Sequence, residues 1–222
     1  VWIQNLNADF HIQLNGINSI LVLLTTLIVP FIIQSTFERD IKNIKVYLSL
    51  ILTMQAALVG VFLAQDALLF YVFWELALIP IYLICLVFGG ENRQKITFKF
   101  FIYTLFGSLF MLLAIIFVWL HTADRSFDMR SVYQAGMSLT AREQLLVFIA
   151  FYLAFAIKIP IFPLHTWQPD TYVNAPTQGT MLLSGIMLKM GTYALIIWLI
   201  PVVPLGWQQA SKYVIILSVI SV

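Results

Sequence analysis

Three ionisable side chains lie inside apolar stretches that are long enough to cross a bilayer: Glu75, Lys158 and Lys189. A charged side chain at the centre of a membrane costs about 2.5–3.5 kcal/mol on insertion scales. Such residues therefore persist where they pair with one another or line a hydrated pathway. Because one glutamate and two lysines occupy three different stretches, the pattern indicates a route for protons or ions.

Glu75 shares one helical face with two phenols. Tyr71 precedes it by four residues and Tyr82 follows it by seven, a spacing that places all three on the same side of a helix. Pro80 has no N–H and leaves the carbonyl of Leu76 without its helical donor. At membrane depth that carbonyl needs water or a polar side chain. The alternative is a structural ion pair that fixes helix packing.

Lys158 is followed closely by two prolines, Pro160 and Pro163, within one apolar stretch. This spacing predicts a kinked or broken helix and frees the carbonyls of Ala156 and Ile159. Irregular backbone at membrane depth is tolerated only where it is buried in protein or lines a wet cavity. Broken helices beside charged groups are typical of ion-coupled transport. The alternative, a lysine that reaches the interface, fits less well because Lys158 lies deep in the stretch.

Lys189 shares its helical face with Gly185, Thr192 and Tyr193. Small and hydroxyl-bearing neighbours predict that this face meets other helices rather than lipid. Tyr193 joins the two phenols beside Glu75 as an accessory candidate.

Four further polar residues are candidates for lesser roles. Lys99 begins an apolar stretch, where it fits an accessory role or a lysine that reaches the cytoplasmic interface. Asp66 lies between two stretches and is predicted to be a helix N-cap or turn residue. His165 and Asp170 follow the prolines in a loop where a proton relay could operate, and helix capping is the alternative for His165.

The composition is that of a membrane protein. The chain has 222 residues, is 61% hydrophobic and only 10% charged, against about 25% charged residues in soluble domains. A net charge of +2 gives no indication of nucleic-acid binding. The single cysteine, Cys85, excludes an intrachain disulfide framework and any metal site built on several cysteines. No glycine-rich nucleotide loop and no metal-ligand motif is present, so we expect no cofactor, no metal and no redox chemistry within these residues.

The pattern predicts an all-α, polytopic bundle that forms a single membrane domain over residues 1–222. Six full spans and the start of a seventh are expected. They cover residues 17–33, 46–64, 67–88, 98–120, 144–164 and 180–203, and the seventh begins at Tyr213. Charged residues 38–40 form a predicted turn, and residues 121–143 and 165–179 are predicted connections. The start at Val1 and the apolar end predict a piece of a longer protein.

Lysine and arginine counts in alternate loops predict the orientation. Six basic residues follow the first, third and fifth spans, and four lie on the opposite side. The two sets are Arg39, Lys42, Lys45, Arg93, Lys95 and Lys99, and Arg125, Arg130, Arg142 and Lys212. The bias places residues 1–16 outside the cytoplasm.

Several segments resemble the antiporter-like membrane subunits of respiratory complex I, and most closely their M-subunit branch. They are residues 73–80 (FWELALIP), 99–104 (KFFIYT), 156–160 (AIKIP), 163–170 (PLHTWQPD), 175–177 (APT) and 185–189 (GIMLK). The resemblance covers nearly the whole chain.

The resemblance implies a bundle of fourteen helices built from two inverted repeats of five, of which this chain holds helices three to eight and the start of nine. Glu75 then matches the glutamate of helix five, and Lys158 matches the lysine of broken helix seven. Lys189 matches the lysine of helix eight that links two half-channels, and the second half-channel lies beyond Val222. Two departures occur: Asn15 stands where the family often has aspartate, and Thr171-Tyr172 replaces a common Ala-His pair.

The resemblance further implies a proton-translocating membrane subunit of an NADH:quinone oxidoreductase in the bacterial inner membrane. NADH, FMN, iron–sulfur clusters and quinone are then expected in other subunits. The implied partners are the lipid bilayer and other membrane subunits, especially homologous antiporter-like ones, with no nucleic acid. Two alternatives stay open: a subunit of a Mrp-type sodium/proton antiporter or membrane-bound hydrogenase, and a structural scaffold whose buried charges only lock helices together.

Overall fold

The computed structural model describes residues 2–37 and 41–221, and the predicted charged turn at residues 38–40 lies outside them. The described residues form helices and isolated bridges, with no strand among them. The long helices are α1 (Gly16–Thr36), α2 (Ile44–Leu63), α3 (Ala67–Phe88), α4 (Arg93–Trp119), α6 (Ala141–Lys158), α8 (Thr177–Val202) and α9 (Pro204–Ser221). The shorter ones are α5 (Met129–Ser138) and α7 (Gln168–Asn174).

The all-α polytopic architecture predicted from the sequence is confirmed. Within the described ranges, five helices are long and apolar enough to cross a membrane, namely α1, α2, α3, α4 and α8. Each of them overlaps a predicted span, and α3 has the predicted bounds. Length and apolar composition therefore locate these five helices.

The fifth predicted span ends earlier than expected. Its helix, α6, stops at Lys158, and turns occupy most of the residues between 159 and 167, including Pro160 and Pro163. The break at the prolines is thus confirmed, but the carbonyl of Ala156 is not free. It accepts the Ile161 N–H at 2.8 Å, because the chain turns back onto the last turn of α6.

The seventh helix begins earlier than predicted. It starts at Pro204 rather than at Tyr213, so Lys212, which we counted in a loop, lies inside α9. Proline is favoured in the first helical turn because its fixed φ suits the helix and its missing N–H has no helical acceptor there. Polar residues 208, 209, 211 and 212 interrupt the apolar run, so hydropathy alone places the start of this helix too late.

Two predicted connections contain short helices that the sequence analysis missed. Helix α5 lies within residues 121–143, where the Asp128 side chain accepts the Arg130 N–H at 2.9 Å. Helix α7 lies in the loop after the prolines. Both are too short to be stable alone in water, and tertiary packing stabilises such helices.

Asp66 is an N-cap, as predicted. Its Oδ1 accepts the N–H groups of Leu68 and Leu69, each at 2.9 Å, and its Oδ2 accepts the Asp9 N–H at 3.0 Å. Burial raises the pKa of the Asp66 carboxyl above its ordinary value, while these three hydrogen bonds act in the opposite direction. The cap therefore joins the N-terminal segment to the start of α3.

The helices that carry the ionisable residues pack around α6. Helix α4 packs against α3 and α6, and α8 packs against α6. Gly107 allows the close approach of α4, since a Cβ there would lie 2.9 Å from Ile157 Cδ1 and 3.2 Å from Ala154 Cα. Aromatic rings fill the space between α3 and α6, with Trp74 and Phe155 5.6 Å apart at their centroids.

Candidate functional site

Glu75 lies half-buried on α3 and faces groups from two other helices. Its carboxylate interacts electrostatically with Tyr71 on the same helix and with Lys158 at the end of α6. The Ser108 side chain of α4 interacts with both Glu75 and Tyr71. Glu75 Oε1 is buried and has no hydrogen-bond partner among the described residues, so this oxygen is available to accept a further hydrogen bond or a proton.

Lys158 is the last residue of α6 and is only 2% exposed. Its ammonium lies 5.3 Å from the centroid of the Trp74 ring, within the range of a cation–π interaction. It also interacts electrostatically with Glu75, although no carboxylate oxygen in the described part of the chain lies within 4.0 Å of its Nζ. The negative end of the α6 dipole favours a cation at this position.

The two phenols predicted beside Glu75 have different environments. Tyr71 shares the polar surroundings of Glu75 through Ser108. Tyr82 packs its ring against Phe101, with centroids 5.0 Å apart. The structure therefore gives Tyr71 the closer relation to the Glu75 carboxylate.

Lys189 lies half-buried on α8 between two π-helical turns, Leu183–Met187 and Leu195–Leu199. Its Nζ donates to the Ser184 carbonyl at 2.6 Å. π turns inside α-helices frequently occur at functional sites. The second residue after it, Gly191, allows close contact with α6, since a Cβ there would lie 2.6 Å from Ile159 Cγ1 and 3.3 Å from the Phe155 carbonyl oxygen.

A buried polar cluster that the sequence analysis missed lies one turn beyond Lys189. The Phe62 carbonyl accepts the Tyr193 hydroxyl at 2.8 Å and the Asn18 side-chain N–H at 2.9 Å. The Asn18 amide also donates to the Gln13 carbonyl at 2.8 Å. Asn18 is fully buried. A polar amide in the first apolar stretch was the available signal, but no local pattern indicates its partner 44 residues away.

The loop after the break is attached to α4. Lys99 Nζ forms an ion pair with Asp170 Oδ2 at 2.9 Å and donates to the Thr166 carbonyl at 2.7 Å. The ring of His165 stacks on Phe162 with centroids 5.7 Å apart, and its Nδ1 is buried with no hydrogen-bond partner in the described residues. Lys99, His165 and Asp170 are thus brought to one end of the bundle, beside the break.

No group of three or more histidine, cysteine, aspartate or glutamate side chains that could hold a metal ion is found among the described residues. Cys85 is buried and free. The structure brings the Glu75 carboxylate and the Lys158 ammonium together with Trp74, Tyr71 and Ser108. The polar contact that it shows for the Lys189 ammonium is with the Ser184 carbonyl of the same helix.

A protein family and individual proteins are similar in sequence to this chain. A family described as "NADH:quinone oxidoreductase/Mrp antiporter, TM" matches residues 64–222. The chain is 39% identical over 221 residues to NADH-quinone oxidoreductase subunit M of Rickettsia conorii. The alignment covers 100% of this chain and 44% of the relative. It is 38% identical over 222 residues to NADH-ubiquinone oxidoreductase chain 4 of Marchantia polymorpha, again over 100% of this chain and 44% of the relative. The chain thus spans less than half the length of these relatives.

Two solved structures share the fold. A chain of respiratory complex I from Thermus thermophilus with bound NADH superposes with a TM-score of 0.83 and 31% identity, over 97% of this chain and 45% of that one. A chain of an archaeal membrane-bound sulfane sulfur reductase superposes with a TM-score of 0.72 and 27% identity, over 84% of this chain and 30% of that one.

Proposed function

Because this chain belongs to the NADH:quinone oxidoreductase/Mrp antiporter transmembrane family, we propose that it takes part in proton translocation by an NADH:quinone oxidoreductase. The observation that carries this proposal is the position of Lys158. Its ammonium is buried at the end of a broken helix, beside the Trp74 ring, and interacts electrostatically with the Glu75 carboxylate. A buried ammonium and a half-buried carboxylate that interact electrostatically without an ion pair are suited to changing partners.

In the proposed mechanism, Lys158 holds a proton taken from the cytoplasmic side. Glu75 controls this step by approaching the ammonium or moving away from it. An opposite charge within about 4–6 Å changes the free energy of charging by about 1.4–4 kcal/mol. Because the two groups are not in direct contact, a modest movement of α3 or α6 is enough to change their interaction.

Lys189 then passes the proton laterally within the membrane, away from Lys158. The turns at Pro160 and Pro163 admit water to Lys158, and His165 is the histidine candidate for a relay at this entrance. The Nδ1 of His165 is buried without a hydrogen-bond partner among the described residues and is therefore available to water or to another polar group at this entrance.

The surrounding complex follows from the same proposal. Other subunits bind NADH, FMN, iron–sulfur clusters and quinone, and this chain contributes no redox centre. Its partners are homologous antiporter-like membrane subunits and the lipid bilayer. It lies in the bacterial inner membrane with residues 1–16 outside the cytoplasm.

The proposal is tested with Lys158→Met and Glu75→Gln in the full-length subunit within the assembled complex. Either change should reduce NADH-driven acidification of inverted membrane vesicles at least tenfold while the complex still assembles on native gels. Lys45→Gln is the control, because Lys45 lies exposed at the start of α2. Normal acidification in either of the first two variants would contradict the assigned roles.

A Mrp-type antiporter or membrane-bound hydrogenase subunit is the second candidate. The family description includes the Mrp antiporter, and the archaeal respiratory complex shares the fold. The genes that neighbour this one distinguish the candidates. Genes for NADH dehydrogenase subunits support the first function, and genes for cation-antiporter or hydrogenase subunits support the second.

A structural scaffold is the third candidate, and a charge exchange tests it. If Glu75 and Lys158 only lock helices together, the double variant Glu75→Lys/Lys158→Glu should recover full pumping. If they form a proton pathway, the double variant should assemble but remain impaired, because the carboxylate and the ammonium then occupy each other's place.

A further inference from the structure

Three side chains on adjacent turns of α4 hold the segment that follows the break. Lys99 donates to the Thr166 carbonyl at 2.7 Å and pairs with Asp170 at 2.9 Å. The Tyr103 hydroxyl and the Thr166 Oγ1 share a hydrogen bond of 2.8 Å. The rings of Phe100 and Trp167 lie 5.0 Å apart at their centroids. Segment 159–170 is therefore attached to α4 at several points.

The same segment is attached to the end of α6. The Trp167 indole N–H donates to the Ile157 carbonyl at 2.9 Å, and this bond is buried. The Ile161 N–H donates to the Ala156 carbonyl at 2.8 Å. Both acceptors lie in the last turn of α6, directly before Lys158. A displacement of segment 159–170 away from α4 would therefore uncover the last turn of α6.

The attachments differ in how easily they break. The Trp167 contacts are buried. The side chains of Lys99 and Asp170 are 38% and 53% exposed, so their ion pair is weak and is screened by salt. Lys99 also donates to a backbone carbonyl, and hydrogen bonds from charged groups are stronger than neutral ones. Lys99 is thus the anchor that dissolved ions can reach.

We propose that Lys99 is a positioning residue: by holding segment 159–170 against α4, it sets the access of cytoplasmic water to Lys158. This inference rests on the proposed proton translocation and deepens it. Lys99 acts through Thr166 and Asp170 and does not itself carry the proton. Its partner Asp170 then serves as the second half of the attachment rather than as a relay.

The test uses the full-length subunit in the assembled complex. Lys99→Met should increase the rate of amide hydrogen exchange over residues 161–168 about tenfold and lower proton pumping per NADH oxidised at least threefold. Asp170→Asn should have a smaller effect on exchange, because Lys99 keeps its bond to the Thr166 carbonyl. Lys99→Arg should restore most of the slow exchange. Lys95→Met is the matched control, since Lys95 lies one turn earlier on α4 and is exposed.

Salt dependence separates positioning from a general structural role. In the wild type, exchange over this segment should rise with salt concentration, whereas in Lys99→Met it should already be fast and insensitive to salt. Unchanged exchange in Lys99→Met, or an equal rise in Lys95→Met, would overturn the proposal, as would faster exchange with normal pumping. Failure of the proposed function gives a different result, namely normal pumping in Lys158→Met.

Discussion

The Lys158 ammonium lies over the face of the Trp74 ring, 5.3 Å from its centroid. Trp74 directly precedes Glu75, so the same turn of α3 presents a π face and a carboxylate toward the end of α6. Two different groups of α3 thus stabilise the charged form of one buried lysine.

Replacing this ring should impair pumping without unfolding the bundle. A cation–π interaction of a desolvated lysine contributes about 0.5–2 kcal/mol, so Trp74→Leu should lower the rate of proton pumping severalfold. Trp74→Phe keeps an aromatic face and should retain most of the rate. The measurement is NADH-driven acidification of inverted vesicles at equal amounts of assembled complex. Equal rates for Trp74→Leu and Trp74→Phe would show that the ring contributes only volume.

Gly191 should not tolerate a side chain. A methyl group there would lie 2.6 Å from Ile159 Cγ1, and overpacking of this kind costs about 1–3 kcal/mol. Gly191→Ala should therefore lower the midpoint of thermal unfolding in detergent and separate α8 from α6. Gly185→Ala is the matched control on the same helix, because its Cβ would meet only Ile28 Cδ1 at 3.9 Å. A similar midpoint for both variants would contradict this packing.

Asp66 should make the stability of the protein depend on pH. Burial raises the pKa of its carboxyl in the folded state above the ordinary value of 3.8. A group whose pKa is higher in the folded than in the unfolded state adds to the free energy of unfolding. This contribution is fully present at pH values below the unfolded-state pKa and is lost as the pH rises through the folded-state pKa. For each protein, we compare the unfolding midpoint at about pH 4 with its own midpoint at about pH 8. The change from pH 8 to pH 4 should favour stability more in the wild type than in Asp66→Asn. An identical pH profile for the two proteins would exclude this contribution.

The Phe62 carbonyl should respond unequally to the loss of its two donors. Tyr193→Phe leaves the bond from Asn18 in place and should cost about 1 kcal/mol of stability. Asn18→Leu removes three hydrogen bonds, those to the Phe62 and Gln13 carbonyls and the one from the Asn15 N–H to Asn18 Oδ1, and each contributes about 0.5–1.5 kcal/mol. The midpoint of thermal unfolding should thus fall further in Asn18→Leu. The reverse order would show that the Tyr193 hydroxyl is the more important donor.

The features that the sequence predicts correctly are those fixed by local rules. Apolar length locates five of the helices. Two prolines three residues apart locate the end of α6, because each lacks the N–H that a helix would use, whereas the single prolines Pro30 and Pro80 are tolerated inside α1 and α3. Asp66 is identified as an N-cap by its residue type and position alone.

The features that the sequence does not predict depend on contacts between distant residues. Lys99 and Asp170 are 71 positions apart, and no local pattern distinguishes their ion pair from two solvated charges. Helix α5 is polar and short, and it is held by tertiary contacts such as the hydrogen bond from Tyr133 to the Ile197 carbonyl. Ser108 belongs to the surroundings of Glu75 only because α4 packs beside α3.

The π turn at Leu183–Met187 fixes the azimuth of Lys189 about the axis of α8. Each residue added to or removed from a helix rotates everything after it by about 100°. A single-residue deletion in this turn would leave the composition of α8 nearly unchanged but swing the ammonium group to another side of the helix. The number of residues in this widened turn therefore determines the side of α8 on which the Lys189 ammonium lies. Adding or removing one residue there would rotate the ammonium about the helix axis.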